Sequence, residues 1–118
     1  LTLARRDTSE KIVNNIDTLT TKIKSILEDI QTRLFDEALT FQKENTLIAN
    51  SYEEFKDLIS KGAFIQCGWD GDPVTEEKIK NETNATIRCI PFEQDIKDLK
   101  CIYTDNKAKF HVIFAKAY

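Results

Sequence analysis

Apolar residues recur every three or four positions along residues 15–41, and this spacing predicts one long amphipathic helix. Neither glycine nor proline interrupts the segment. At ~1.5 Å per residue such a helix would be about 40 Å long, which is more than a small domain needs. We therefore expect it to join two modules. Its apolar stripe comprises Ile16, Leu19, Ile23, Ile26, Leu27, Ile30, Leu34 and Ala38.

The pattern on either side of this helix predicts strands and shorter helices. Residues 1–6 alternate apolar and polar positions and lead into Asp7-Thr8-Ser9, which predicts a strand and a turn. After residue 45, strands are expected at 46–49, 63–67, 86–92 and 110–115, with at most a short strand at 101–103. Helices are expected after the capping box Ser51-Tyr52-Glu53-Glu54 and at 75–82.

This order predicts an α+β fold in which the long helix is followed by a two-layer βαβαββ domain with a mixed sheet. Both short helices should pack on one face of that sheet. The expected domains are 1–44 and 45–118. With 118 residues and 41% apolar content, the chain is long enough to bury a core.

Composition narrows the function classes. A formal net charge of −3 argues against a uniformly basic nucleic-acid-binding surface, although a local basic patch remains compatible with it. No run approaches the ~18 apolar residues of a membrane span. The three cysteines are an odd number and fit reduced thiols of a cytosolic protein better than a disulfide framework. Because Leu1 is not methionine, the chain is expected to be a fragment.

Four short motifs, read in order, resemble one family. Residues 5–11 read Arg-Arg-Asp-Thr-Ser-Glu-Lys and are similar to RRDTGEK, with Ser9 in place of glycine. The others are E-x-x-I-K at residues 76–80, ATIRCIPF at 85–92 and FAKAY at 114–118. Together they resemble the C-terminal region of prolyl-tRNA synthetases of the archaeal and eukaryotic type. The resemblance covers nearly the whole chain.

The resemblance implies a parent enzyme, a class II synthetase that ligates L-proline to tRNA(Pro) with ATP and Mg²⁺ in the cytoplasm, as a homodimer. Residues 1–44 would be the last strand and long helix of the anticodon-binding domain, and 45–118 the C-terminal domain. The partners would be tRNA(Pro) and the catalytic and anticodon-binding domains. Since the catalytic signatures are absent, we expect the chain alone to be inactive. A free-standing RNA- or protein-interaction module is the alternative.

Arg5, Arg6 and Lys11 form a small cationic cluster at the end of the predicted first strand. Such a cluster is often only a solvated strand end. Arginine and lysine also suit RNA phosphates and base edges by their charge and geometry. The resemblance favours the second interpretation, because it places these residues on the surface that reads the anticodon.

The resemblance also implies a role for Tyr118. Its α-carboxylate would be a docked structural group that supports the active site from outside, whereas the simpler interpretation is a frayed terminus.

Many members of the family carry a four-cysteine zinc site. The resemblance places Asp70, Thr75, Cys101 and Thr104 at the ligand positions, so only Cys101 keeps a thiol. A structural zinc requires four thiolate or imidazole ligands, and we therefore expect no metal. Packing of Trp69, Ile102 and Tyr103 would hold the loops instead.

Trp69 is either a core residue with a bonded N–H or a platform for a base, and the first is favoured. The single histidine, His111, lies in an alternating strand. Cys–His catalysis is not expected, because such a pair is recognised by its geometry rather than by mere presence.

Overall fold

The computed structural model describes residues 1–117, and Tyr118 lies outside the described residues. The chain forms two compact units, Leu1–Gln42 and Lys43–Tyr118. None of the helices in residues 1–117 is long and apolar enough to cross a membrane.

The first unit contains a β-hairpin and most of the long helix. Strands β1 (Thr2–Ala4) and β2 (Lys11–Val13) pair antiparallel, with Leu3 opposite Ile12. The turn between them includes Ser9, whose φ is 61°. The predicted first strand is thus confirmed in shorter form, whereas β2 had not been predicted.

Helix α1 (Leu19–Asn45) starts and ends later than the spacing predicted. A 3-10 turn (Ile16–Thr18) precedes it, because the Asn15 side chain accepts a hydrogen bond from the Asp17 amide at 3.3 Å and caps that turn first. All 27 residues of α1 are described, and none of them is buried.

The second unit is a two-layer βαβαββ domain. Its sheet has the order β3-β4-β6-β5, in which β3 and β4 are parallel and the other two pairs antiparallel. Helices α2 and α3 contact each other and the sheet, so they share one face. The predicted α+β class and mixed sheet are confirmed. The elements are β3 (Thr46–Ile48), α2 (Tyr52–Ser60), β4 (Phe64–Trp69), α3 (Pro73–Thr83), β5 (Ala85–Cys89) and β6 (Phe110–Lys116).

The capping box of α2 forms with one change. The Ser51 hydroxyl accepts a hydrogen bond from the Glu54 amide at 3.2 Å, as predicted. The Glu54 carboxylate accepts from the amide of Asn50 at 2.9 Å, one residue before the cap. Two amides at the start of the helix are therefore satisfied by side chains.

Helix α3 begins two residues earlier than predicted. The Asp72 carboxylate caps it by accepting from the Val74 amide at 2.9 Å, and Pro73 occupies the first turn. Proline suits this position because its missing N–H would have no partner inside the helix. Asn84 ends the helix in the left-handed conformation, with φ at 58°.

Apolar side chains between the two helices and the sheet form the core. The rings of Phe55 and Phe114 meet edge to face, with centroids 5.3 Å apart. Burial raises the pKa of the Cys67 thiol in this core to about 12. The largest fully buried side chains are Phe55, Ile59, Ile65, Ile79, Val112 and Phe114.

Strand β5 is shorter than the predicted strand 86–92. The pairing of β5 with β6 shifts in register between Ile87 and Cys89, and the strand ends at Cys89. Beyond it, Gln94 takes over the pairing: its side chain accepts from the His111 amide at 2.7 Å and donates to the His111 carbonyl at 3.0 Å. At residues 101–103 only a single bridge forms, between Cys101 and Gly68.

Candidate functional site

The turn of the hairpin is tied to α1 by ion pairs. The Asp7 carboxylate accepts hydrogen bonds from both Arg5, at 2.9 and 3.1 Å, and Arg33, at 2.8 and 3.1 Å. The hydrogen bonds from Arg5, and then those from Arg33, hold the pKa of Asp7 below its ordinary value. Asp7 therefore holds the turn against the helix.

Arg5 spans the same junction from the other side. Its guanidinium also donates to the Asp29 carboxylate of α1 at 2.6 Å, and its side chain is only 11% exposed. Arg33 forms a further ion pair with Glu37 along the helix. The helix partners Asp29 and Arg33 were not predicted, although their i, i+4 spacing places them on one helix face.

The three predicted RNA-contacting cations thus differ in their surroundings. Arg5 is held by two carboxylates, whereas Arg6, just after β1, and Lys11, the first residue of β2, are exposed. The hairpin brings the segments that carry them together, since Ala4 pairs with Lys11. Contact with RNA stays a prediction for all three.

In the second unit, one carboxylate collects hydrogen bonds from three segments. Asp70, just after β4, accepts from the hydroxyls of Thr75 on α3 and Thr104, both at 3.0 Å. It also accepts from the Asp72 amide at 3.1 Å, and the Cys101 side chain helps to lower its pKa. Desolvation alone would raise the pKa of Asp70, but these hydrogen bonds outweigh it and lower the pKa. We call Asp70, Thr75, Cys101 and Thr104 the Asp70 cluster.

The Asp70 cluster consists of the four positions at which the resemblance expects zinc ligands. Its possible metal ligands are one thiol, one carboxylate and two hydroxyls. Both hydroxyls donate their hydrogens to Asp70. Neutral hydroxyls are not ligands of structural zinc, which takes thiolate and imidazole. Within residues 1–117, no group of three or more His, Cys, Asp or Glu side chains could hold a metal ion. The residues present do not fit zinc.

A second carboxylate is bound by two tyrosines. The hydroxyls of Tyr52 and Tyr103 donate to Glu82 at 2.7 and 3.0 Å, and their rings meet edge to face at 5.0 Å. Hydrogen bonds from Tyr52 and then from Tyr103 lower the pKa of Glu82, whereas burial, followed by the bond to Glu82, raises the pKa of Tyr52. This contact joins α2, α3 and the 101–106 loop, and it had not been predicted.

Trp69 and His111, the remaining described candidates, lie in contacts of the core and the sheet. The Trp69 N–H donates to the Asp72 carbonyl at 3.2 Å, and the half-buried ring packs at the edge of the core near Phe110. This agrees with the favoured core interpretation. His111 pairs with Gly68 across the sheet. Tyr118, the predicted docked carboxylate, lies outside the described residues.

The side chains with candidate chemistry in residues 1–117 are thus largely engaged in bracing loops and turns. Together with the two-layer fold, these contacts define an α+β domain whose polar side chains brace its loops.

Comparison with known proteins identifies the family. A family model described as "Prolyl-tRNA synthetase, C-terminal" matches residues 52–118. The chain belongs to this family. The qualifier "archaeal and eukaryotic type" stays a prediction.

Curated relatives extend the similarity to almost the whole chain. It is 46% identical to a proline–tRNA ligase of Porphyromonas gingivalis over 116 residues, which are 98% of this chain and 24% of that protein. It is 48% identical to one of Chloroherpeton thalassium over 124 residues, covering 98% of this chain and 26% of that protein. The chain therefore spans about a quarter of the length of these relatives.

Proposed function

We propose that this chain is the C-terminal part of a proline–tRNA ligase. Such an enzyme would activate L-proline with ATP and Mg²⁺ and transfer it to tRNA(Pro), as a class II aminoacyl-tRNA synthetase. The observation that carries the proposal is the coverage: 97–98% of the chain aligns with ligases at 44–48% identity. Cytoplasmic location and a homodimeric parent belong to the same proposal.

The two units would serve that enzyme differently. Residues 1–44 would complete its anticodon-binding domain, with Arg6 and Lys11 offering exposed positive charge to RNA. The Arg5 guanidinium, which Asp7 and Asp29 already hold, would position the hairpin as well as add charge. Residues 45–118 would form a structural domain that supports the active site without supplying catalytic groups. In this part of the enzyme we propose no metal cofactor.

The proposal predicts a division of activity between this chain and the full ligase. The purified chain should show no proline-dependent exchange of ATP and pyrophosphate, because its residues contain no catalytic signature. The full-length ligase, assayed in parallel, should show it. Exchange above background from the chain, free of contaminating ligase, would overturn this assignment of roles.

The role of the exposed cations is tested in the full-length ligase. Arg6→Ala combined with Lys11→Ala should weaken tRNA(Pro) binding and aminoacylation several-fold, with a smaller dependence of binding on salt, because fewer phosphate contacts remain. Proline activation without tRNA should not change. Lys24→Ala, at an exposed position of α1, serves as the matched control. An equal fall in activation and aminoacylation would contradict the anticodon role.

A further inference from the structure

The 101–106 loop lies between β5 and β6 and has few backbone bonds to the sheet. The Ile102 amide donates to the Gly68 carbonyl at 2.9 Å, and this bond attaches the loop to β4. Two further bonds close the loop on itself, from Cys101 to Asn106 at 2.8 Å and from Asp105 to Cys101 at 3.0 Å. Side chains must supply much of the remaining attachment.

Asp70 supplies one of these side-chain attachments. One of its oxygens accepts two hydroxyl hydrogens at the same time, from Thr75 and from Thr104, which lies 34 residues away in sequence. The other oxygen accepts the Asp72 amide. A carboxylate accepts only through its oxygens, so an ionised Asp70 suits a site where every neighbour is a donor.

The burial of the partners of Asp70 and a second carboxylate beyond the loop both agree with an ionised Asp70 that holds the loop. Thr75 is 5% exposed, so its hydroxyl would be a buried unpaired donor if the carboxylate were absent. On the far side of the loop, Tyr103 donates to Glu82. The loop is thus held by two carboxylates, and neither of them requires a metal.

We propose that the Asp70 carboxylate fastens the 101–106 loop to α3 and to the end of β4, in the place where the resemblance expects zinc. The loop is closed by hydrogen bonds that converge on one anion, instead of by thiolates that converge on one cation. This inference concerns the folded domain and does not depend on the proposed ligase activity.

The first test changes one partner of these hydrogen bonds at a time in the whole chain. Thr104→Val keeps the side-chain shape but leaves Asp70 one hydrogen bond short, and Asp70→Asn removes the negative charge. We expect amide exchange of Ile102 and Asp105 to accelerate at least tenfold in Thr104→Val, with a lower Tm in both variants. Thr86→Val, in β5, is the matched control and should leave both amides unchanged.

A chelator distinguishes a loop held by the Asp70 cluster from a loop held by a bound metal ion. Incubation of the wild-type chain with EDTA should change neither Tm nor exchange at Ile102 and Asp105. Loss of stability on chelation, or one zinc per chain by elemental analysis, would overturn the proposal. Equal exchange in Thr104→Val and Thr86→Val would also overturn it, because Asp70 would then not hold the loop.

The second test uses the convergence of the four positions. Asp70→Cys, Thr75→Cys and Thr104→Cys together, with the native Cys101, would place four thiols at one point. We expect this variant to bind one Co²⁺ with the absorption bands of tetrahedral thiolate ligation, even if it folds only on binding. Addition of Cys101→Ser should weaken the bands. Absence of these bands from the triple variant, or their presence in the wild type, would contradict the geometry on which the proposal rests.

Discussion

At the scale of single residues, Gly68 lies where β4 meets the loop that precedes β6. A Cβ atom at this position would be 2.2 Å from the Lys100 carbonyl oxygen and 2.9 Å from both Ala108 Cβ and Leu99 Cγ. A backbone oxygen cannot move aside as a flexible side chain does. We expect Gly68→Ala to lower the free energy of unfolding by ~1–3 kcal/mol, as overpacked sites do, in chemical denaturation of the whole chain.

Gly62 provides the matched control for this substitution. It has open space around its missing Cβ but a φ of +84°, so alanine there meets backbone strain rather than a clash. Gly62→Ala should lower stability by ~1 kcal/mol and leave amide exchange in the 101–106 loop unchanged. Wild-type stability in Gly68→Ala would show that the strand and loop lie further apart than described.

Trp69 separates a core role from a base-stacking role. Trp69→Phe should lower the free energy of unfolding by ~1 kcal/mol, because it removes the hydrogen bond to the Asp72 carbonyl and keeps an aromatic ring. Trp69→Ala should have the larger effect, ~2–3 kcal/mol for a half-buried ring. In the full-length ligase, neither change should alter tRNA affinity. A selective loss of tRNA binding with unchanged stability would favour the stacking role.

Distance along the chain decided which polar contacts could be predicted. The bond from the Glu54 amide to Ser51 is local, and the capping motif predicted it. The bonds from Tyr52 and Tyr103 to Glu82 join residues 30 and 21 positions apart. The spacing of apolar and polar residues does not predict contacts between residues so far apart in the sequence. The resemblance identified the positions of the zinc ligands. Counting the thiols at those positions did not reveal that Asp70 would accept hydrogen bonds from Thr75 and Thr104.

At the scale of elements, the N-terminus of α2 depends on its cap. Ser51→Ala should lower the free energy of unfolding by ~1 kcal/mol, because it leaves the Glu54 amide without its side-chain acceptor. Ser60→Ala, at the other end of the same helix, loses only a bond to the Asp57 carbonyl and should have a smaller effect. Equal effects in thermal unfolding would mean that the cap is not the source of stability.

The hairpin and α1 are joined by a contact that depends on pH. Since the pKa of Asp7 is lower in the folded state, its contribution is complete above the ordinary carboxyl pKa, ~3.9, and is lost as pH falls below it. We expect exchange of the Arg5 amide, which bonds to the Glu10 carbonyl, to accelerate in acid beyond its intrinsic change. Asp7→Asn should remove most of this pH dependence. An unchanged pH profile would contradict the role of Asp7.

Helices and strands with a clear spacing of apolar residues were predicted. Features that depend on pairing between strands were not. The order of helices and strands after residue 45 follows from local patterns and is confirmed. Strand β2 has only three residues and was missed, because it exists through its pairing with β1. The expected strand 86–92 extended too far, since the register shift near Arg88 depends on β6 rather than on local sequence.

At the scale of the whole molecule, burial is confined to one of the two units. Residues 1–42 all belong to the described part of the chain, and none of them is buried. Apolar side chains on α1 remain open, with Leu27 60%, Leu34 50% and Phe35 60% exposed. Part of the apolar stripe that predicted the helix is thus exposed within this unit.

This difference predicts unequal local stability, since amides are protected according to the buried contacts that must open. In hydrogen exchange of the whole chain, amides in β4 and β6 near Ile65 and Val112 should exchange slowest. Those of the hairpin and of α1 before residue 42 should exchange much faster, because none of these residues is buried. Equal protection throughout would contradict this expectation.

The same measurement in the full-length ligase tests what the open stripe is for. If residues 1–44 complete a larger domain there, burying the stripe should slow exchange along α1 around Leu27 and Leu34 by orders of magnitude. Exchange around Ile65 and Val112 should change much less, because that core is already closed. Fast exchange along α1 in the full-length ligase would mean that the stripe stays exposed, and residues 1–44 would then not be part of a packed domain.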